Sequence, residues 1–165
     1  MDLGLTEAQE MIQRTARSFM EREAPRAAIV ALQKSETGFR REVWQMAAEL
    51  GWLGMLIPPQ HGGSGSSFTD AAVLFEELGR GPLPGPFFQS AVFGVQTILE
   101  AATEEQGRNL LPALAEGRII LSVAITEPHR SFGPQGIALQ PRKVAGGYVL
   151  DGVKLFVPDA VAATH

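Results

Sequence analysis

Among the residue types that carry chemistry, this sequence offers three histidines, two adjacent acid pairs, one glycine-rich loop and one polar strand end. His61, His129 and His165 lack the paired spacing of a metal site, so they read as loop histidines and no metal is expected. His61-Gly62-Gly63-Ser64-Gly65-Ser66-Ser67 has the composition of a phosphate cradle, since backbone amides at a helix start bind anions. It lacks the Lys-Ser/Thr ending of a Walker loop and follows a helical pattern, so it reads as a flexible connection between helices. For Glu76-Glu77 and Glu104-Glu105, acid–base work would require two carboxylates converging on one substrate. Each pair instead falls on a polar helix face or in a first helical turn, where acids complement the helix dipole, and is expected to be solvated. Gly81-Pro82-Leu83-Pro84-Gly85-Pro86 is short and glycine-broken, which favours a rigid interhelical loop over an extended interaction segment. Ile125-Thr126-Glu127-Pro128 differs from all of these. Its proline stops a strand and leaves Thr126 and the neighbouring amides at a strand end, a place that can hold a polar heteroaromatic ring. An ordinary strand-to-loop exit stays open as the alternative.

The elements that must position these groups are legible from periodicity. Thr6-Glu7-Ala8-Gln9 fits a capping box, and Leu5, Ala8, Ile12, Ala16 and Phe19 then follow at helical steps until Pro25 breaks the run. Val43, Met46, Ala47 and Leu50 make a second stripe ending at Gly51; Ala71, Leu74, Phe75 and Leu78 make a third ending at Gly79. Phe88, Ala91, Val92, Val95, Ile98 and Leu99 make a fourth, and the box Thr103-Glu104-Glu105-Gln106 opens a last helix through Leu110, Leu111 and Leu114. Beyond it, Ile119–Ile125 is short and β-branched, as in a buried strand, and Gly146-Gly147 separates strand patterns at 137–145 and 148–157. The expected fold is mainly α: an N-terminal helical bundle over 1–117, then over 118–165 the first strands of an incomplete antiparallel β-barrel domain, truncated and with unpaired edges. An apolar sheet edge of that kind favours self-association.

Charge and composition exclude several functions. The chain has 165 residues, 14 basic against 18 acidic, for a net charge of −4, which lacks the basic footprint of a nucleic-acid binder. The absence of cysteine removes disulfides, thiolate metal sites and thiol nucleophiles. No apolar run reaches membrane-spanning length and the first residues lack a secretory pattern, so a cytoplasmic (bacterial-type) protein is expected.

The order of segments then adds to this picture. Leu5-Thr6-Glu7-Ala8-Gln9, Glu49-Leu50-Gly51-Trp52-Leu53-Gly54, Gly62-Gly63-Ser64-Gly65, Phe75-Glu76-Glu77-Leu78-Gly79-Arg80, Leu111-Pro112-Ala113-Leu114-Ala115-Glu116-Gly117, Ala124-Ile125-Thr126-Glu127-Pro128 and Leu150-Asp151-Gly152-Val153-Lys154 follow one another as in the acyl-CoA dehydrogenase family. The chain closely resembles that family from about residue 3 to residue 160. The resemblance implies a FAD-dependent oxidoreductase that converts acyl-CoA to trans-2-enoyl-CoA. A carboxylate there takes the α-proton while hydride leaves the β-carbon for the flavin. In the family that carboxylate lies in a C-terminal domain, so no catalytic residue is assigned here, and the isolated chain is expected to be inactive and to bind FAD weakly or not at all.

By the same resemblance, Val123, Ala124, Ile125 and Thr126 would meet the flavin pyrimidine, and Phe156, Val157 and Pro158 would lie beside the ring system. Phe87 and Phe88 would border the acyl chain, with ordinary core packing as the open alternative, and Ser131 and Phe132 would also lie on the substrate side. Two departures stand out. Ser131-Phe132-Gly133 replaces the family's Gly-Ser-Asp, and Pro158 replaces a threonine that would bond flavin N5, offering neither hydroxyl nor amide. Similar departures, with the Val157-Pro158-Asp159-Ala160 ending, resemble a bacterial branch acting on bulky acyl-CoAs, some members of which pair unlike subunits. The implied partners are acyl-CoA, an electron-transferring flavoprotein and a second subunit in a homo- or hetero-oligomer. The alternatives are a non-catalytic partner subunit, or a helical interaction module that binds acyl-CoA or another subunit.

Overall fold

The computed structural model describes residues 4–128 and 133–165. Six helices come first: α1 (Glu7–Glu23), α2 (Arg26–Leu32), α3 (Arg41–Glu49), α4 (Phe68–Arg80), α5 (Phe88–Ala101, whose first part Phe88–Gly94 is wound as a π-helix) and α6 (Glu104–Ala115). Both expected capping boxes form: Thr6 with Gln9 and Thr103 with Gln106 exchange side-chain and backbone bonds, satisfying orphan amides at each helix start. A third box, Ser67 with Asp70, opens α4. Pro25 separates α1 from α2, and Gly51 ends the α3 region in the left-handed conformation (φ 76°).

The sequence places the end of α4 at Gly79, but the helix runs on to Arg80 and is capped by Gly81. Crowding decides the position. A Cβ at Gly81 would come within 2.4 Å of the Met20 side chain, whereas one at Gly79 would meet open space. α1 and α4 lie alongside each other in the same sense, since Gln9 bonds Asp70, Arg17 bonds Glu77, and Met20 fills the space at Gly81.

The core gathers Phe19 of α1, Val43 and Trp44 of α3, Leu74 of α4, Val95 of α5 and Leu111 and Leu114 of α6, together with Leu53, Ile57 and Ile120 from the connections. Phe19 meets Trp52 edge-on at 4.8 Å. The glycine-rich loop is bound into this unit. The amides of Ser64, Gly65 and Ser66 donate to the carbonyls of Gly54, Ile57 and Met55, and a Cβ at Gly63 would strike the Ile57 carbonyl. This corrects the expectation of a flexible connection, and these three amides have no capacity left for a phosphate.

The β part differs from expectation in extent. One antiparallel hairpin forms, β1 (Arg142–Val144) with β2 (Gly147–Val149), in the register Arg142↔Val149, Lys143↔Tyr148 and Val144↔Gly147. The turn is therefore Ala145-Gly146, one residue earlier than read from sequence, with Gly146 at φ 84°. Its flanks leave the ladder for other partners: the amides of Ala138 and Leu139 bond a carboxylate, and the Leu155 amide bonds the Thr126 carbonyl. Ile119–Ile125 is not a regular strand. Ile120 exchanges bonds with Thr164 and His165, and Leu121 with a serine of α5, so the segment is fixed at its start without a continuous ladder among the described residues. Tyr148, Leu150, Val153, Phe156 and Val161 remain exposed apolar surface on this part. No described helix is long and apolar enough to cross a membrane.

Candidate functional site

The π-wound start of α5 creates the first fixture. A π turn carries an extra residue per turn and shifts which side chains face inward. Here it buries Ser90 completely, although an α-helical stripe over Phe88, Ala91 and Val92 passes this residue by. The Ser90 hydroxyl donates to the Leu121 carbonyl (2.8 Å) and accepts from the Leu121 amide (3.0 Å). Gly94 permits the approach, because a Cβ there would sit 2.9 Å from that of Leu121. The chain leaving Leu121 therefore starts from a defined point on α5.

From that point Val123, Ala124, Ile125 and Thr126 run as an extended arm. Its carbonyls are engaged: Ile125 accepts from the Lys154 ammonium (3.1 Å) and Thr126 from the Leu155 amide (2.7 Å). The amides of Val123 to Thr126 and the Thr126 hydroxyl have no partner among the described residues. A second arm, Phe156-Val157-Pro158, comes alongside. Its Leu155 end is held by Thr126, and the Pro158 carbonyl accepts from the Ser122 hydroxyl (2.5 Å). Phe156 is 77% exposed and left-handed (φ 52°), a conformation rare for aromatic residues. Asp159, also left-handed, has its carboxyl pushed up by burial. The structure thus joins both groups of sequence-assigned cofactor residues into one pair of arms.

Sequence alone gives Glu127 no role, yet it is the central fixture. It is only 5% exposed, and its carboxylate accepts from the amides of Ala138 (2.8 Å) and Leu139 (3.2 Å) and from the Lys154 ammonium (2.7 Å). The Lys154 hydrogen bond and then the two amides hold its pKa down to about 2, from an ordinary value of 4.5. A depressed carboxylate stabilises the fold fully above its unfolded pKa and loses that contribution as pH falls through the folded one. We expect the Ala138 and Leu139 amide resonances to hold their folded positions above about pH 4.5 and to shift together as the pH is lowered toward about 2. Glu127→Gln should abolish that shared step, and a step surviving in the variant would assign it to another acid.

The two phenylalanines assigned to the substrate side divide. Phe87 is buried against Trp44 (5.4 Å between ring centroids), whereas Phe88 is 56% exposed and meets Phe75 edge-on at 6.0 Å. Both line an apolar cleft of about 320 Å³ with Phe75, Leu78, Pro82 and Leu83. Ser131 and Phe132 lie outside the described residues, as does His129. A larger cleft of about 600 Å³, beside Gly54, Gly63 and Glu116, contains none of the assigned residues.

Glu77 corrects the sequence expectation of a solvated pair. It is 1% exposed, and its carboxylate is bound by Arg17 through two bonds (2.9 and 3.0 Å) and by Arg80 (3.1 Å). The Arg17 bond, against the opposing effect of burial, lowers its pKa. Glu77 thus fastens α1 to α4. Glu104 and Glu105 do lie exposed in the first turn of α6. No cluster of metal-ligating side chains occurs among the described residues.

Comparison with known proteins places these features. Residues 6–118 match the acyl-CoA dehydrogenase, N-terminal domain family. Benzylmalonyl-CoA dehydrogenase of Aromatoleum aromaticum is 32% identical, over 99% of this chain and 43% of its own length. Among solved structures, the Tcur3481-Tcur3483 steroid ACAD matches with a TM-score of 0.80 and 30% identity, over 99% of this chain and 43% of that one. An acyl-CoA dehydrogenase of Bacillus anthracis complexed with FAD matches with a TM-score of 0.81 and 28% identity, over 93% of this chain and 27% of that one. The chain spans about two fifths of the length of the first curated relatives it matches.

Proposed function

The chain belongs to the acyl-CoA dehydrogenase family, and from that premise we propose that it forms the helical wall and one cofactor edge of a flavoprotein that oxidises an acyl-CoA to a trans-2-enoyl-CoA. The observation that carries this is the row of donors from Val123 to Thr126, without partners among the described residues, beside the apolar Phe156. Such a row suits FAD: amides and a hydroxyl match the acceptor-rich pyrimidine edge, and an exposed aromatic ring matches the flat apolar face. Donors at that edge favour extra electron density there. When bound, FAD would accept the hydride lost from the substrate β-carbon.

We divide the chain at Gly117, with 1–117 as the helical domain and 118–165 as the opening of the β domain. Phe87 and Phe88 border the acyl group through the cleft they share with Phe75 and Leu83. Ser90 joins this wall to the cofactor arm, so acyl group and cofactor share one support. Glu127 is committed to Lys154 and two amides, which removes it as the base for the α-proton. We assign no base for the α-proton within this chain and take the chain by itself to be inactive. Acyl-CoA, an electron-transferring flavoprotein and a second subunit are the partners we assign, in a cytoplasmic setting.

A second reading, a non-catalytic subunit that shapes the site for a bulky acyl group, is favoured by Pro158, whose carbonyl is tied to Ser122 and which has no donor to offer. The test is to isolate the polypeptide as its host makes it and add acyl-CoA. A yellow protein bleached by acyl-CoA without a second subunit supports the enzyme. Bleaching only when an unlike subunit is present supports the second reading, and a colourless protein in every combination contradicts both.

A further inference from the structure

The cofactor arm is fixed in an unusual manner. A strand is ordinarily held by alternating amides and carbonyls, which would engage the donors of Val123 to Thr126 in a ladder. This arm is held instead by two carbonyls and a side chain. Lys154 donates to the Ile125 carbonyl (3.1 Å) and to the Glu127 carboxylate (2.7 Å), while its neighbour Leu155 donates to the Thr126 carbonyl (2.7 Å). Thr126 thus sits between two fixed residues with its own amide and hydroxyl unengaged among the described residues.

The remaining oxygen capacity of Glu127 holds the amides of Ala138 and Leu139, so one buried carboxylate ties together three stretches of chain. A buried ion pair is a weak source of net stability but a good source of geometry, because removing one partner leaves the other charge uncompensated. Lys154 is mostly buried, so its ammonium has few alternatives to these two acceptors.

Resting on the flavin assignment above, we propose that Glu127 and Lys154 are positioning residues: the pair sets the spacing between the 123–126 and 155–158 arms by a route that leaves the arm's amides free for the cofactor edge. Neither residue touches the cofactor in this account; both act through Thr126 and its neighbours.

The test uses FAD itself as the probe, titrated into the protein and into Lys154→Met, Lys154→Arg and Glu127→Gln, with affinity read from amide shifts. Hydrogen exchange at the Leu155 amide is followed in parallel. Lys154→Met is expected to weaken FAD binding by about tenfold or more and to speed Leu155 exchange by a similar factor. Lys154→Arg should restore both to within about threefold, since it keeps the charge and the donors. Glu127→Gln should fall between, because its amide oxygen still accepts from Ala138 and Leu139. Tryptophan fluorescence of the helical unit should stay unchanged in all three, which separates positioning from general unfolding.

Equal FAD affinity and equal Leu155 exchange in the protein and in Lys154→Met would overturn the proposal. If the unsubstituted protein binds too weakly to show FAD-dependent shifts, Leu155 exchange alone decides on the pair. Faster exchange in Lys154→Met with rescue by arginine supports it, and unchanged exchange overturns it.

Discussion

Replacing Trp44 with alanine is expected to lower the stability of the helical unit by about 3–5 kcal/mol, the range for truncating a large buried aromatic. Trp44 is fully buried, its ring lies against Phe87, and its indole N–H donates to the Gly117 carbonyl at 3.0 Å. Truncation would leave a cavity at the centre of the core and remove the indole bond at the turn that leads from α6 toward the cofactor arm, where the Gly117 carbonyl would keep only its bond from Arg41 (3.2 Å). A typical domain is stable by about 5–15 kcal/mol, so the loss is a large fraction of the total. Trp44→Phe separates the two contributions: it fills most of the volume and loses only the indole bond, for an expected cost of about 1–2 kcal/mol. Urea unfolding followed by circular dichroism measures both. If alanine and phenylalanine cost the same, packing at Trp44 does not hold the core as described.

Ser90→Ala is expected to cost about 2–4 kcal/mol, although it removes a single oxygen. That oxygen satisfies both the amide and the carbonyl of Leu121 in a fully buried position, and an orphaned buried polar group costs about 1–3 kcal/mol. The effect should be local as well as global. Exchange at the Leu121 amide should quicken far more than exchange in α1 or α4, because the hydroxyl is what joins the arm to α5. A loss below about 1 kcal/mol would mean that the arm is held without Ser90.

These residues also mark how far local sequence reaches. Thr6 and Thr103 were legible because the N3 glutamine of each capping box lies three residues away. Ser67 was missed because its N3 partner is Asp70 in place of the longer acid or amide of the usual pattern. α2 was missed because its seven residues turn only Ala28, Ile29 and Leu32 inward, none of them fully buried, a stripe too short to stand out. Glu76 and Glu77 look alike as neighbours, yet successive helix positions point about 100° apart, and Glu77 turns toward an arginine 60 positions earlier.

The site was legible in part. Val123–Thr126 and Phe156–Pro158 were assigned through family resemblance, and the structure brings them together through Ser122 and Leu155. What holds them was not legible. Lys154 stands 27 positions after Glu127, and Ser90 lies off the apolar stripe because a π turn shifts the inward face. The hairpin turn was misplaced by one residue because two adjacent glycines, Gly146 and Gly147, leave the register open in sequence. Beyond the short ladder, Ala138, Leu139 and Leu155 bond Glu127 and Thr126, which alternation alone does not encode.

The most direct test of the account is an amide-resolved NMR titration of the protein with FAD, which detects binding even at a dissociation constant of about 1 mM, worth only about 4 kcal/mol. The account predicts that the largest shifts fall on Val123, Ala124, Ile125 and Thr126, with Phe156 and Val157 next, and that α1 and α4 stay unmoved. Shifts centred elsewhere at millimolar FAD would contradict the assignment of these arms as a flavin edge.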